Sequence, residues 1–319
     1  MKRVEFTFRS SDQKTPIHAI KWEPESSPHG ILQLVHGVAE YLERYEEFAR
    51  VMCACGLLVI GNDHLGHGES VTTTGDFGYF AEKEGDDCLV KDIRRLGEIA
   101  RNAYPRIPYF MLGHSMGSFV VRRYVCDYPD QPLDGVILSG TGYQSLRQLR
   151  AGRIMAKLIG AVRGWRSKSP FLEKMMFGQV NKHFAPERTP KDWLSRDEAV
   201  VDAYIQDSRC GFPLTVNGYY HLLGLMEKME DEDRLRRMNR DLPVLLIAGE
   251  EDPIGNFGKG VKEVAVSFRK LGMKQLDCIL YPEMRHEILN EREKEKVYKD
   301  IARWIADHES RGDVGDFAS

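Results

Sequence analysis

The sequence predicts an α/β protein: a mostly parallel central sheet, helices on both faces, and a helical segment inserted late in the chain. Three observations carry this. Short apolar runs of strand length alternate with stretches of helical periodicity, the pattern of strands covered on both faces by crossover helices. That alternation stops near residue 142 and resumes near 241. And one apolar strand runs straight into a serine flanked by glycines, GHSMG at 113–117, which opens a helix.

Taken in order, residues 4–9 and 17–22 alternate with period two and form an opening pair of extended segments. The run 31–36 (ILQLVH) is a strand, 41–55 is helical, and 57–62 (LLVIGN) is a second apolar strand. A helix follows over 86–104, with Leu89, Val90, Ile93, Leu96 and Ile99 on one side. Residues 109–112 form the strand before Gly113, 118–126 the helix after it, and 135–138 (GVIL) a further strand. Beyond the inserted segment come the strand 244–248 (VLLIA), a helix near 261–271, the strand 276–281 and a closing helix over 291–308. At 319 residues the chain is long for a single core. It divides into the N-terminal part of the core (1–141), a helical cap (142–240), the C-terminal part of the core (241–310) and a flexible tail (311–319). The Arg311-Gly312-Asp313 triplet in that tail is a chance match in a solvated end.

Composition narrows the function. A net charge of −3 argues against nucleic acid as a partner. The longest apolar run, 51–61, is well short of the roughly 18 residues of a membrane span. The opening MKRVEFTFRSSDQ has no apolar secretory segment, so a cytoplasmic location is expected. The cysteines at 53, 55, 88, 126, 210 and 278 make no Cys-x-x-Cys pair and are read as buried free thiols. Cys53 and Cys55 stand two apart on a helix and so do not share a face. No metal, organic cofactor or obligate protein partner is called for.

The chemistry centres on GHSMG. A serine between two glycines suits a tight strand-to-helix turn that presents the hydroxyl at the end of the sheet, where bulkier neighbours would collide with strand and helix. Alone the motif is weak; its place between strand and helix gives it weight. A serine nucleophile needs a base, and the base an orienting acid. Enzymes with such an elbow order them as serine, acid, histidine, the acid after a late strand and the histidine after the last. Asp252 follows the strand 244–248 within GEEDPIG, and His286 follows the strand 276–281. Glu250 and Glu251 are rivals for the acid; Asp252 is preferred because Pro253 and Gly255 make a loop from which a short side chain reaches the histidine. His114 is a packing histidine, since adjacent residues in a sharp elbow point apart. His183, His221 and His308 are surface or cap residues. The oxyanion hole draws on the Met116 amide and on Val38, where Gly37 lets the chain turn and leaves the next amide free.

These residues resemble the monoacylglycerol lipase and lysophospholipase branch of the α/β-hydrolases, bacterial type. The likeness rests on HGVAEYLERY (36–45), DHLGHGES (63–70), GHSMG (113–117), GEEDP (249–253) and RHEILNE (285–291), which span the core, and on DWLSRDEAVVDAYIQDSRCGFPLT (192–215) in the cap. It implies the α/β-hydrolase fold, with Ser115 as nucleophile, Asp252 as acid, His286 as base, and Val38 with Met116 as oxyanion donors. One departure is Val38-Ala39-Glu40, where members of the branch often carry a further glycine or a serine.

The cap bears on the substrate. Over 146–165, Leu146, Leu149, Ile154, Met155, Leu158, Ile159, Val162 and Trp165 recur at helical spacing between basic residues, with no acid. Such a helix either packs on its own core with a solvated basic face or lies on an anionic membrane from which it admits a lipid. The expected function is a serine carboxylic-ester hydrolase acting on monoacylglycerols or lysophospholipids, small-molecule acyl esters that need no cofactor. Two alternatives stay open. A peptidase of the proline-iminopeptidase type would need acidic residues in the cap to hold a free amino terminus, and a non-catalytic binding relative would be expected to lack part of the triad.

Overall fold

The computed structural model describes residues 1–309; the tail expected at 311–319 lies outside them. Eight strands form one sheet: β1 (Lys2–Arg9), β2 (Pro16–Glu23), β3 (Gly30–Val35), β4 (Leu57–Asn62), β5 (Tyr109–His114), β6 (Gly135–Ser139), β7 (Val244–Gly249) and β8 (Leu276–Tyr281). Their spatial order is β1-β2-β4-β3-β5-β6-β7-β8. β1 pairs antiparallel with β2 and β2 with β4; from β4 to β8 every pairing is parallel.

Side-chain alternation explains why the apolar runs read as continuous. In β5, Tyr109 and Met111 face one core while Phe110 and Leu112 face the other; in β7, Val244, Leu246 and Ala248 oppose Leu245 and Ile247. With both faces covered, each position of such a strand is buried, and each large side chain contributes about 1.5–3 kcal/mol. One face is covered by α1 (Glu46–Ala54) and α10 (Lys294–Glu309), the other by α2 (Gly85–Ala103), α3 (Met116–Asp127) and α9 (Lys259–Lys270). The segment expected as one helix over 41–55 begins as a 3-10 turn, Leu42–Tyr45, before α1.

Between β6 and β7 lie α4 (Leu146–Arg163), α5 (Pro170–Phe177), α6 (Glu198–Gln206), α7 (Val216–Met229) and α8 (Glu232–Leu235). An isolated Lys168–Thr215 bridge is the extended pairing found there. α7 rests on α2 and α3 and adds Tyr219, Leu222, Leu223 and Met226 to the core beneath. Buried Asp86 of α2 ties these helices together, accepting from Arg123 at 3.0 Å and from Lys228 at 2.7 Å.

Several expectations need correction. The apolar residues of α4 are not a buried stripe. α4 packs on α7 through Leu149, Gly152, Ala156 and Gly160, because small side chains let the two helices approach, and the large ones are left outside: Ile154 is 61%, Leu158 58% and Val162 85% exposed. His308 is no surface residue; it is buried on α10 with Nδ1 at 2.7 Å from the Trp304 carbonyl. His221 lies on α7 of the inserted segment, as one of its two readings had it, and is buried beside Asp86. Cys55 is exposed because α1 ends at Ala54, whereas Cys53, one face round, is buried; Cys278 is half-buried.

Candidate functional site

The carboxyl ends of the parallel strands gather the loops of the site, as in open α/β sheets generally. At the end of β5 the chain turns through Ser115 with φ 52° and ψ −121°, a strained conformation for a residue with a side chain. The turn holds because β6 and α3 fix it. Ser115 N donates to the Ser139 carbonyl at 2.9 Å, and Ser118 Oγ donates to the Ser115 carbonyl at 2.6 Å. The flanking glycines are required by contact with backbone. A Cβ on Gly117 would lie 1.9 Å from the Val35 carbonyl oxygen, and one on Gly113 2.5 Å from that of Gly117. Ser115 is 9% exposed.

Asp252 and His286 come from loops after β7 and β8 and meet. His286 Nδ1 lies 2.9 Å from Asp252 Oδ2, while Asp252 Oδ1 accepts from Ile254 N at 2.8 Å. Both side chains are buried. Burial pushes the His286 pKa down, but the charge and hydrogen bond of Asp252 outweigh it and leave the pKa above its ordinary value. The ring is clamped between Trp193 of the inserted segment, at 5.1 Å, and His114, at 4.7 Å. His114 therefore packs against this imidazole rather than away from it, with Nδ1 3.2 Å from Ser139 Oγ. Burial, and then the charge of His286, push its pKa down to about 3, so it stays neutral. No hydrogen bond joins Ser115 Oγ to His286; in enzymes without substrate such bonds are often long. Of the rival carboxylates, Glu251 turns to the inserted segment and meets His183 Nε2 at 3.0 Å, and Glu250 is exposed.

The loop after β3 shapes the second half of the site. Gly37 N donates to Glu40 Oε1 at 2.5 Å, and the Gly37 carbonyl faces His36 Nδ1 at 2.7 Å. With both Gly37 groups engaged, Val38 offers the next amide, and Met116, first residue of α3, has an amide with no intrahelical acceptor. Ala39 takes φ 53°, so the left-handed backbone here is carried by alanine where a glycine would be easier. His36 Nε2 accepts from His64 N at 3.0 Å, which fixes a neutral ring protonated on Nδ1; burial and the nearby His67 hold its pKa well down.

Sequence reasoning missed the cluster that locks this loop to the histidine. Arg44 donates to Glu40 at 2.6 Å and, through both terminal nitrogens, to Glu287 at 2.8 and 2.6 Å. Tyr45 OH adds a 2.8 Å bond to Glu40. The spacing of Glu40 and Arg44 hints at a pair, but nothing in a single sequence brings Glu287, 243 residues away, to the same guanidinium. A small pocket, with a cavity volume of about 40 Å³, opens beside the loop, lined by Val38, Ala39, Trp193, Tyr204 and Phe212 among others.

Sheet order, strained serine elbow and the Asp–His pair on the last two strands define an α/β-hydrolase. Residues 26–293 match the family described as serine aminopeptidase, S33, and the chain belongs to that family. It is similar to a monoacylglycerol lipase of Mycolicibacterium smegmatis, 30% identical with 90% of this chain and 91% of that protein aligned. It is also similar to the human monoglyceride lipase, at 25% identity over 89% and 85%. Among solved structures, a thermostable carboxyl esterase from Bacillus coagulans, in complex with glycerol, matches with a TM-score of 0.89 at 28% identity, covering 96% of this chain and 99% of that one. The chain is an ester-hydrolysing serine hydrolase.

Proposed function

We propose that the chain hydrolyses acyl esters of the monoacylglycerol or lysophospholipid type through Ser115, His286 and Asp252. The observation that carries this is the strained Ser115 elbow sharing one strand-end face with a buried His286–Asp252 pair. Ser115 Oγ attacks the ester carbonyl and passes its proton to His286 Nε2. The oxygen that becomes negative is held by the Val38 and Met116 amides, the Asp252 carboxylate steadies the imidazolium, and His286 returns the proton to the departing alcohol oxygen. Water then attacks the acyl-enzyme, gives a proton to His286, and releases the acid as Ser115 recovers its hydrogen.

The peptidase alternative needs an acidic residue to hold a free amine. Glu173 lines the pocket, but Lys191 lines it too and repels an ammonium, which favours the ester. The related lipases and the esterase are named for ester cleavage, in the same direction.

We further propose that α4 and α5 meet an anionic lipid surface, from which substrate enters. Ile154, Leu158, Val162 and Phe171 are exposed together, and Arg147, Lys157 and Arg163 beside them have no ion-pair partner among the described residues. Arg150 and Arg153 share Glu227 and add less charge than the sequence suggests. No helix among the described residues is long and apolar enough to cross a membrane. The test is labelling by a fluorophosphonate probe, then turnover of acyl esters against aminoacyl amides. Labelling lost in Ser115→Ala and turnover of esters alone is the expected result; cleavage of the amides in preference would overturn it.

A further inference from the structure

Trp193, to which the sequence gives no role, stands directly on the His286 ring. It lies between α5 and α6 in the inserted segment, is 8% exposed, and sets its indole 5.1 Å from the imidazole at an interplanar angle of 37°. His114, at the end of β5, packs on the same imidazole at 4.7 Å. Gly140, just past β6, approaches a further side: a Cβ there would lie 3.0 Å from His286 Cε1. The backbones are joined as well. The His286 amide donates to the Trp193 carbonyl at 3.3 Å, and the Glu287 amide to the Leu194 carbonyl at 2.8 Å. The Arg285 guanidinium donates to the carbonyls of Asp192 and Ser195, on either side of this pair. Trp193 is itself fixed from behind, its amide donating to Asn181 Oδ1 at 3.0 Å.

The consequence for the chemistry follows from how few bonds hold the imidazole. Among the described residues its ring bonds to Asp252, through Nδ1. One such bond fixes a distance but lets the ring rock about it, and rocking swings Nε2 away from the Ser115 hydroxyl whose proton it must take. Groups packed against the ring stop that motion. His114 and Gly140 come from the ends of core strands, whereas Trp193 comes from the inserted segment and is tied by its carbonyl to the loop it steadies. A misplacement of about 1 Å at a reacting group costs about 100-fold in rate. We infer that Trp193 is a positioning residue for His286, holding Nε2 towards Ser115 in both halves of the reaction, so that the inserted segment serves the proton transfers themselves. This rests on the ester-hydrolase reading above.

Two measurements separate the two readings. The first is hydrolysis of p-nitrophenyl acetate, a small soluble ester, with rates taken per active site titrated by a fluorophosphonate so that misfolded protein does not count. Trp193→Leu, which keeps an apolar side chain but no ring, should lower kcat by about tenfold to 100-fold. His286 moves a proton in acylation and in deacylation, so both should slow together and KM should stay within about threefold. Trp193→Phe, which restores a ring, should recover kcat to within about threefold of the parent. Should Trp193→Leu not fold, Trp193→Met is read in its place. A change confined to KM, or equal losses in the Leu and Phe variants, overturns the positioning role. The second measurement needs no turnover. Proton NMR of the Ser115→Ala protein should show the far-downfield resonance of the His286 Nδ1 proton shared with Asp252. Adding Trp193→Phe should keep that resonance, and adding Trp193→Leu should broaden it away. A resonance unchanged by Trp193→Leu overturns the positioning role even if the parent cleaves esters. Its loss, in a protein whose parent cleaves no ester, supports the clamp on His286 and overturns the hydrolase reading.

Discussion

Replacing Arg44 by methionine removes the one cation lying between two buried carboxylates. The Arg44 side chain is 12% exposed and those of Glu40 and Glu287 4% each, so water screens little of the loss. Taking one partner from a buried ion pair costs about 3–5 kcal/mol, because the abandoned charge stays desolvated. The titration of Glu287 gives a second measure. Burial alone would raise its pKa, but the charge and hydrogen bonds of Arg44 override this and hold it at about 2, against an ordinary 4.5. At about 1.4 kcal/mol per pH unit the difference is worth about 3 kcal/mol. Because the folded pKa is the lower one, that stability is fully present above about pH 4.5 and is lost as the pH falls towards 2. Urea unfolding should therefore show Arg44→Met less stable by about 3 kcal/mol at pH 7, with the gap to the parent narrowing below pH 4.5. Adding Glu287→Gln should recover about half of the loss. Should Arg44→Met not fold, Arg44→Lys, which keeps the charge but not the fork, should show a smaller deficit with the same pH trend. A deficit within about 0.5 kcal/mol, or one unchanged between pH 7 and pH 3, would refute the argument.

Four further outcomes are expected. Ser115→Ala should fold normally and lose about 10⁴-fold or more in ester turnover; a loss of only a few fold would point to another nucleophile. Asp252→Asn should cost about 10⁴-fold, whereas Glu251→Gln, whose carboxylate faces His183, should change turnover by less than about threefold, and the reverse order would overturn the choice of acid. Since Ser115 needs a neutral imidazole and Asp252 raises the His286 pKa, kcat/KM for p-nitrophenyl butyrate should rise through a midpoint above the ordinary 6.5, and the residual activity of Asp252→Asn should turn on at lower pH. Changing Arg147, Lys157 and Arg163 to Gln should weaken binding to anionic vesicles by about 100-fold at low salt, at about 1 kcal/mol per residue, and less as salt rises. Equal binding by parent and triple variant would leave the helix without a membrane role.

Much of the fold was legible because it rests on local patterns. Strands covered on both faces must be apolar throughout, so β3, β4, β5, β6 and β7 announced themselves, and the crossover helices between them carried a helical period. GHSMG could be placed on its turn because the chain itself supplies strand, elbow and helix. Asp252 and His286 were found from their order along the chain, and the structure brings them within 2.9 Å. Where the large apolar residues of α4 would lie was not legible. Their spacing is equally that of a buried stripe, and only contact with α7 decides that Gly152, Ala156 and Gly160 form the packed face. The same holds for His114, whose role depends on a ring 172 positions later in the chain. It holds for Arg44 with Glu287. A single sequence fixes which side chains can pair locally. Which distant charges meet is settled when the sheet brings its loops to one edge, because Coulomb and desolvation energies depend on distance in space and not along the chain.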